Sequence, residues 1–193
     1  MKKSLIVLWL CLSIISVSNA QRIGIKGGLN FSHCDVKADG ITVSPSTLTG
    51  FQIGLTSDFG LGESFYLSPE LLYSSKGYKI EDLKHLIDYI EIPINLTYRY
   101  PIEKISLFVQ TGPYLGVGVS SKIKGGGDTE TIHFGSGEDQ IKRMDFGWNF
   151  GGGIEYDKFQ LGLRYELGLS NIDNISGAST KNRTFSVTLA YFF

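Results

Sequence analysis

The sequence predicts an all-β fold, an eight-stranded antiparallel up-and-down transmembrane β-barrel. Three observations predict it. Apolar side chains recur at every second residue through eight segments, each about as long as a tilted strand crossing a bilayer. The connections between those segments alternate long and short. The face opposite the apolar one is crowded with glycine and carries few charges, which suits a narrow packed lumen better than a solvated sheet.

In "RIGIKGGLNFS", Ile23, Ile25, Leu29 and Phe31 share one face, with Arg22, Gly24, Lys26, Gly28 and Asn30 on the other. "GFQIGLTSDFG" sets Phe51, Ile53, Leu55 and Phe59 against Gln52, Gly54, Thr56 and Asp58. "FYLSPELLYSSK" sets Phe65, Leu67, Leu71 and Tyr73 against Ser68, Glu70, Ser74 and Lys76. In "YIEIPINLTYRY" the run Ile90, Ile92, Ile94, Leu96, Tyr98 and Tyr100 opposes Glu91, Asn95, Thr97 and Arg99. "ISLFVQTGPYLGVGVSS" places Ile105, Leu107, Val109, Leu115, Val117 and Val119 opposite Ser106, Gln110 and three glycines. "FGWNFGGGIEY" and "FQLGLRYELGLSN" continue the pattern, with Glu155, Arg164 and Glu166 on their polar faces. "TFSVTLAYFF" is the eighth segment, and its partner in a closed barrel is the first.

Residues 33–47, 77–87, 122–145 and 173–182 form the long connections, and 60–64, 101–104 and 157–158 the short ones. An even strand number puts both termini on the short-turn side, expected to be periplasmic. Loop 77–87 reads as either a short helix or a strand extension. Loop 122–145 reads as a hairpin above the membrane, because "TETIHF" is strand-like between glycines.

Residues 1–20 read as a cleaved signal peptide, with Lys2 and Lys3 ahead of an apolar core and Ser18-Asn19-Ala20 at the cleavage site. Residues 21–193 then form one outer-membrane barrel domain. Removing residues 1–20 takes two lysines and no acids from 18 basic and 19 acidic residues, leaving a net charge of −3. That balance points away from nucleic acid. Only Cys34 remains after the signal, so no internal disulfide forms. No later stretch is apolar enough for a spanning helix, so any membrane crossing is by strands.

Eight strands enclose a lumen just wide enough for side chains to fill. Lys26, Glu70, Glu91, Arg99, Glu155, Arg164 and Glu166 are expected inside it, and confined charges must pair or cost several kcal/mol each. A hydrogen-bonded ion plug is the first reading, a gate or proton path the second. Phe31, Phe59, Phe65, Tyr73, Tyr89, Tyr98, Tyr100, Phe146, Tyr156, Phe159, Tyr191 and Phe193 are expected outside, as interfacial girdles.

No catalytic, cofactor or metal site is expected. His33, His85 and His133 fall in predicted loops, and the consecutive His33-Cys34-Asp35 is poor geometry for one metal. Asp128, Glu130, Glu138 and Asp139 read as a solvated charge run, and no serine or cysteine sits in a nucleophile motif.

In order and spacing, "GIKGGLNFS", "YIEIPINLTYRY", "FVQTGPYLGVGVSS", "FGWNFGGGIEY" and "LRYELGLSNI" resemble the small OmpA-type outer-membrane β-barrels of Gram-negative bacteria, most closely the PorT-like barrels. The resemblance implies an eight-stranded barrel without catalytic residues, embedded in outer-membrane lipid. The last strand, with Leu189, Tyr191 and Phe193, resembles the signal read by the outer-membrane insertion machinery. Two functions stay open: a scaffold displaying loops, or a subunit of a secretion or assembly machine. A secretion-system or cell-surface protein is the partner this second function implies.

Overall fold

The computed structural model describes residues 21–38, 41–43, 45–80, 82–137, 140–174 and 178–193; the expected signal peptide lies outside them. Eight long strands form the wall: β1 (Gln21–Ala38), β3 (Ser46–Gly60), β4 (Phe65–Ile80), β5 (Leu83–Ile102), β6 (Ile105–Gly125), β8 (Met144–Tyr156), β9 (Phe159–Gly168) and β10 (Ala178–Phe192). Two short strands, β2 (Ile41–Val43) and β7 (Asp128–Thr131), pair with β1 and β6. Each wall strand is antiparallel to its sequence neighbour, and β10 pairs with β1 from Gly24↔Phe192 up to Ala38↔Ala178. The sheet therefore closes on itself as an eight-stranded up-and-down barrel.

The predicted face assignment holds along the strands. In β5, outward Ile90, Ile92, Ile94, Leu96, Tyr98 and Tyr100 are exposed, and inward Glu91, Asn95, Thr97 and Arg99 are buried. Exposed outer residues include Ile25, Ile53, Leu71, Leu115, Leu163 and Leu189, drawn from strands all around the barrel. Apolar surface of that extent is stable only against hydrocarbon. Aromatics flank the band at both ends. Phe65 packs on Tyr98 and Phe159 on Tyr191 near the short turns, and Phe51 packs on Tyr73 at the opposite end.

Tyr89 departs from the expectation of an outer girdle residue. It shares the parity of Glu91, points inward and is fully buried. Of the two readings of region 77–87 the strand extension holds, with β4 and β5 paired up to Ile80↔Leu83. Cys34 and His85, expected in loops, lie on β1 and β5 with their side chains buried. The hairpin expected in the third loop is present as β6 and β7, paired from Lys122↔Thr131 to Gly125↔Asp128.

Inward glycines make room for inward aromatics. A Cβ on Gly147 would meet the Tyr114 ring at 2.5 Å, and one on Gly153 the Phe108 ring at 2.9 Å. Phe108 and Tyr114 are 3% and 1% exposed, inside a lumen that also holds the ion pairs.

Candidate functional site: the filled lumen

The lumen is built in three layers. The lowest lies at the short-turn end, and its charges come from four strands. Arg22 of β1 donates to Glu155 of β8 at 2.6 and 2.9 Å and to Asp58 of β3 at 2.9 Å. Arg99 of β5 donates to the same two carboxylates, 3.1 Å from Glu155 and in closer contact with Asp58. Ser68 donates to Asp58 at 2.6 Å and Gln160 to Glu155 at 3.3 Å. The guanidinium of Arg22 lies 4.3 Å from the Phe192 ring and that of Arg99 4.2 Å from Tyr66, so both cations also rest on aromatic faces. Two cations face two anions, and the layer is neutral.

The middle layer is fully enclosed by protein. Lys26 donates to Glu70 at 2.6 Å, and Arg164 Nη2 forks onto both Glu70 oxygens at 2.6 and 2.7 Å. Lys76 Nζ stands 2.6 Å from both Glu91 and Glu166, and Arg164 Nη1 is 3.8 Å from Glu166. All six residues are at least 96% buried. Three cations again balance three anions. Full burial of one unpaired ion costs several kcal/mol, so balance is a condition for sealing this layer. Lys76 also lies under the Tyr114 ring at 4.7 Å, which links the layer to the aromatics above it.

The upper layer is largely uncharged. Asp145 is 1% exposed and accepts from Ser170 Oγ at 2.8 Å, Asn182 Nδ2 at 2.8 Å and Tyr114 Oη at 3.3 Å. Above it, Ile87, Tyr89 and Ile172 form an apolar cluster onto which Phe134 and Ile141 pack. Phe134 bridges to Ile141, Ile141 to Asp173, and Asn174 donates to the carbonyls of Gly135 and Gln140 at 2.8 and 3.1 Å. The third and fourth loops thus fold together over the mouth. Gly118, inward on β6, has the Phe134 ring where a Cβ would stand. Beside this cap His85 bonds Tyr78 Oη through Nδ1 at 2.8 Å and Ser121 Oγ through Nε2 at 2.9 Å. Burial pulls its pKa down to about 4, Asp173 opposing in part.

All seven charged residues expected inside are there, joined into two clusters rather than one. Parity also places Arg22, Asp58, Lys76 and Asp145 inside, four charged members that the sequence reading leaves out. Asp58 and Lys76 stand on the polar face of their segments but close to predicted turns, where the assignment of a side chain to lumen or solvent weakens. In the His33-Cys34-Asp35 run, read as poor geometry for one metal, neighbouring side chains turn to different partners. Cys34 points inward and donates to Asn182 Oδ1 at 3.3 Å, whereas Asp35 pairs with Arg183 at 2.9 Å. Burial raises the Cys34 pKa far above the ordinary thiol range, with Asp145 and Asp35 adding to it. Asp128 and Glu130 are exposed on β7; Glu138 and Asp139 lie outside the described residues. Among the described residues no group of three histidine, cysteine or acidic side chains is arranged to hold a metal.

Residues 18–174 match the sequence profile of the outer membrane protein beta-barrel domain family. No curated protein matches the chain. Among solved structures it is similar to Ail, the attachment invasion locus protein of Yersinia pestis, at 18% identity over 89% of this chain and 98% of that one, with a TM-score of 0.47. It is similar to neisserial surface protein A at 11% identity over 88% and 97%, TM-score 0.48. For the N-terminal β-barrel domain of Pseudomonas aeruginosa OprF the values are 11%, 87%, 97% and 0.43.

Proposed function

We propose that this chain, which belongs to the outer membrane protein beta-barrel domain family, is a closed, non-enzymatic scaffold of the outer membrane. Its role is to hold extracellular β-hairpins in fixed positions, with both termini on the periplasmic side. One observation carries the reading: a lumen occupied at every level, by two charge-balanced clusters and an apolar cap. Such a filling supports a barrel without a permanent aqueous channel.

The test is solute uptake by proteoliposomes, with correct folding checked by faster migration of unheated protein on a detergent gel. Folded protein that leaves the vesicles impermeable to monosaccharides fits the proposal. Uptake proportional to the amount of folded barrel would replace it with a narrow pore. Leu189, Tyr191 and Phe193 are the positions we assign to recognition by the insertion machinery. Phe193→Ala is expected to fold normally in detergent but to reach the outer-membrane fraction in lower yield.

A second reading, closer to PorT, makes the chain a subunit of a secretion or assembly machine. Strand β7, added to the upper end of β6 with all four of its residues exposed, favours it as a docking element. A stoichiometric partner recovered from native membranes, and lost on deleting that hairpin, would select this reading.

A further inference from the structure

The upper parts of β4, β5 and β6 carry a charge pattern that neither lumen nor wall uses. Tyr73, Ile90 and Val117 stand opposite one another, and the next rung of the same parity is Ser75, itself buried, with Asp88 and Ser120. This polar rung marks the end of the apolar band. Four residues farther along each strand, Lys79, Lys84 and Lys124 again stand opposite one another. Lys122 lies two residues below Lys124, opposite Leu86. These lysines alternate with inward Tyr78, His85 and Ser121, which bond one another inside, so the ammonium groups are on the outer face.

Like charges directly opposite one another destabilise a sheet. Among the described residues, the one carboxylate within ion-pair distance of these four lysines is Asp82, 4.0 Å from Lys79 and fully exposed. The hairpin even sorts its charges by face. Lys122 and Lys124 share the outer face with Thr131 and Thr129, while Asp128 and Glu130 alternate onto the other. Among the described residues only the exposed Asp82 stands against these four lysines, which leaves room for an external anion as their counter-charge.

Height selects the anion. Four residues of a strand tilted by about 40° rise roughly 10 Å. The headgroup layer of a phospholipid leaflet is about 5–8 Å deep. The lysine row therefore stands at or beyond the outer edge of glycerophosphate headgroups, with Lys122 about 5 Å lower. A phosphate carried on sugars reaches that level. Strands about 4.8 Å apart let neighbouring lysine stems converge on one such group.

We infer that Lys79, Lys84, Lys122 and Lys124 dock the phosphorylated saccharide headgroup of an outer-leaflet glycolipid. The inference rests on the membrane orientation proposed above, with the long loops outside.

Native mass spectrometry of the detergent-purified barrel tests it, with deep-rough lipopolysaccharide bearing core phosphates as the probe. Phosphatase-treated lipopolysaccharide and phosphatidylglycerol are the comparison lipids. Each lysine near an anionic surface contributes on the order of a fivefold change in binding. The pair K84Q/K124Q is thus expected to bind the probe at least tenfold more weakly, and K84R/K124R to keep binding. Phosphatase treatment of the probe should have the same effect as the glutamines.

Equal binding of treated and untreated glycolipid, or equal binding by phosphatidylglycerol, overturns the inference, and this arm needs no variant to fold. So does a glutamine variant that keeps wild-type binding, including one that instead loses an acidic protein partner. Heat-modifiable migration and vesicle insertion of the same samples report on the barrel separately. A chain that never inserts sinks the orientation and this inference together; one that inserts but binds glycolipid regardless of the lysines sinks the inference alone.

Discussion

Replacing Arg164 with methionine keeps most of the side-chain volume and removes one charge from the most deeply buried charged layer of the lumen. Arg164 is 2% exposed and forks onto Glu70 at 2.6 and 2.7 Å. Without it Glu70 keeps Lys26 at 2.6 Å and a weak bond from Asn95 at 3.4 Å, while Glu166 must share Lys76 with Glu91. Two cations then face three anions in a sealed layer. Removing one partner of a buried pair costs about 3–5 kcal/mol, chiefly because the other charge is left behind. At about 1.4 kcal/mol per decade, the folding equilibrium should fall by roughly two to three and a half orders of magnitude.

The double variant R164M/E70Q restores two cations to two anions. It should recover most of that loss, since removing both members of a buried pair is often close to neutral. Urea titration in lipid vesicles measures both, read by gel mobility and by the fluorescence of Trp148, the single tryptophan after residue 20. An unchanged midpoint for R164M, or a double variant no better than the single one, would refute the reasoning. The lumen would then be wet enough to solvate Glu70, and the case for a closed barrel would fail with it.

Two further predictions concern the wall and the mouth. A Cβ on Gly112 would overlap the Ile94 carbonyl oxygen of the next strand and lie 2.9 Å from Asn95 Cα, so Gly112→Ala should destabilise by about 1–3 kcal/mol and lower the temperature at which gel migration slows. His85 has a folded pKa of about 4 against an ordinary 6.5, so the native state binds fewer protons than the unfolded chain between those values. Stability is full above pH 6.5 and lost as pH falls towards 4, by roughly 3 kcal/mol in all at 1.36 kcal/mol per unit. Hydrogen exchange of 78–87 and 119–125, corrected for intrinsic rates, should rise over that window, and His85→Gln should abolish the dependence; a pH-independent rate in the wild-type chain would count against it.

Most of the wall is legible in the sequence because a bilayer imposes opposite solvents on its two faces. Wherever a strand touches hydrocarbon outside and ion pairs inside, the period of two is written in full, as from Ile90 to Tyr100. Where the strands rise above the membrane, the outer face turns polar while the inner face takes apolar residues such as Ile87, so the contrast between the faces inverts and the signal is lost. That is why "GYKIEDLKHLID" reads ambiguously although it folds as a continuation of β4 and β5. Tyr89 sits at this boundary, where an aromatic on the lumen face looks like one in the girdle. The pairing of the charges is harder to read than their facing. Alternation says that Glu70 and Arg164 point inward, but it takes the closed register to bring residues 94 positions apart into a forked ion pair.

That sequence distance gives the charges a second consequence. Arg22 and Glu155 are 133 residues apart and Arg164 and Glu70 94, and each of these bonds joins strands that meet across the lumen only when the sheet closes, whereas Lys26–Glu70 and Arg99–Glu155 each bridge a single intervening strand. A slip of one residue between any two strands would turn Lys26, Glu70 or Arg164 outward into hydrocarbon and leave its partners unpaired. Apolar side chains alone would tolerate such slips better, since leucine and isoleucine in either face lose less. The paired charges add little net stability over an apolar filling of the same volume. What they add is a large gap between one register and all its neighbours, and a barrel whose displayed hairpins must stand at fixed heights depends on that gap.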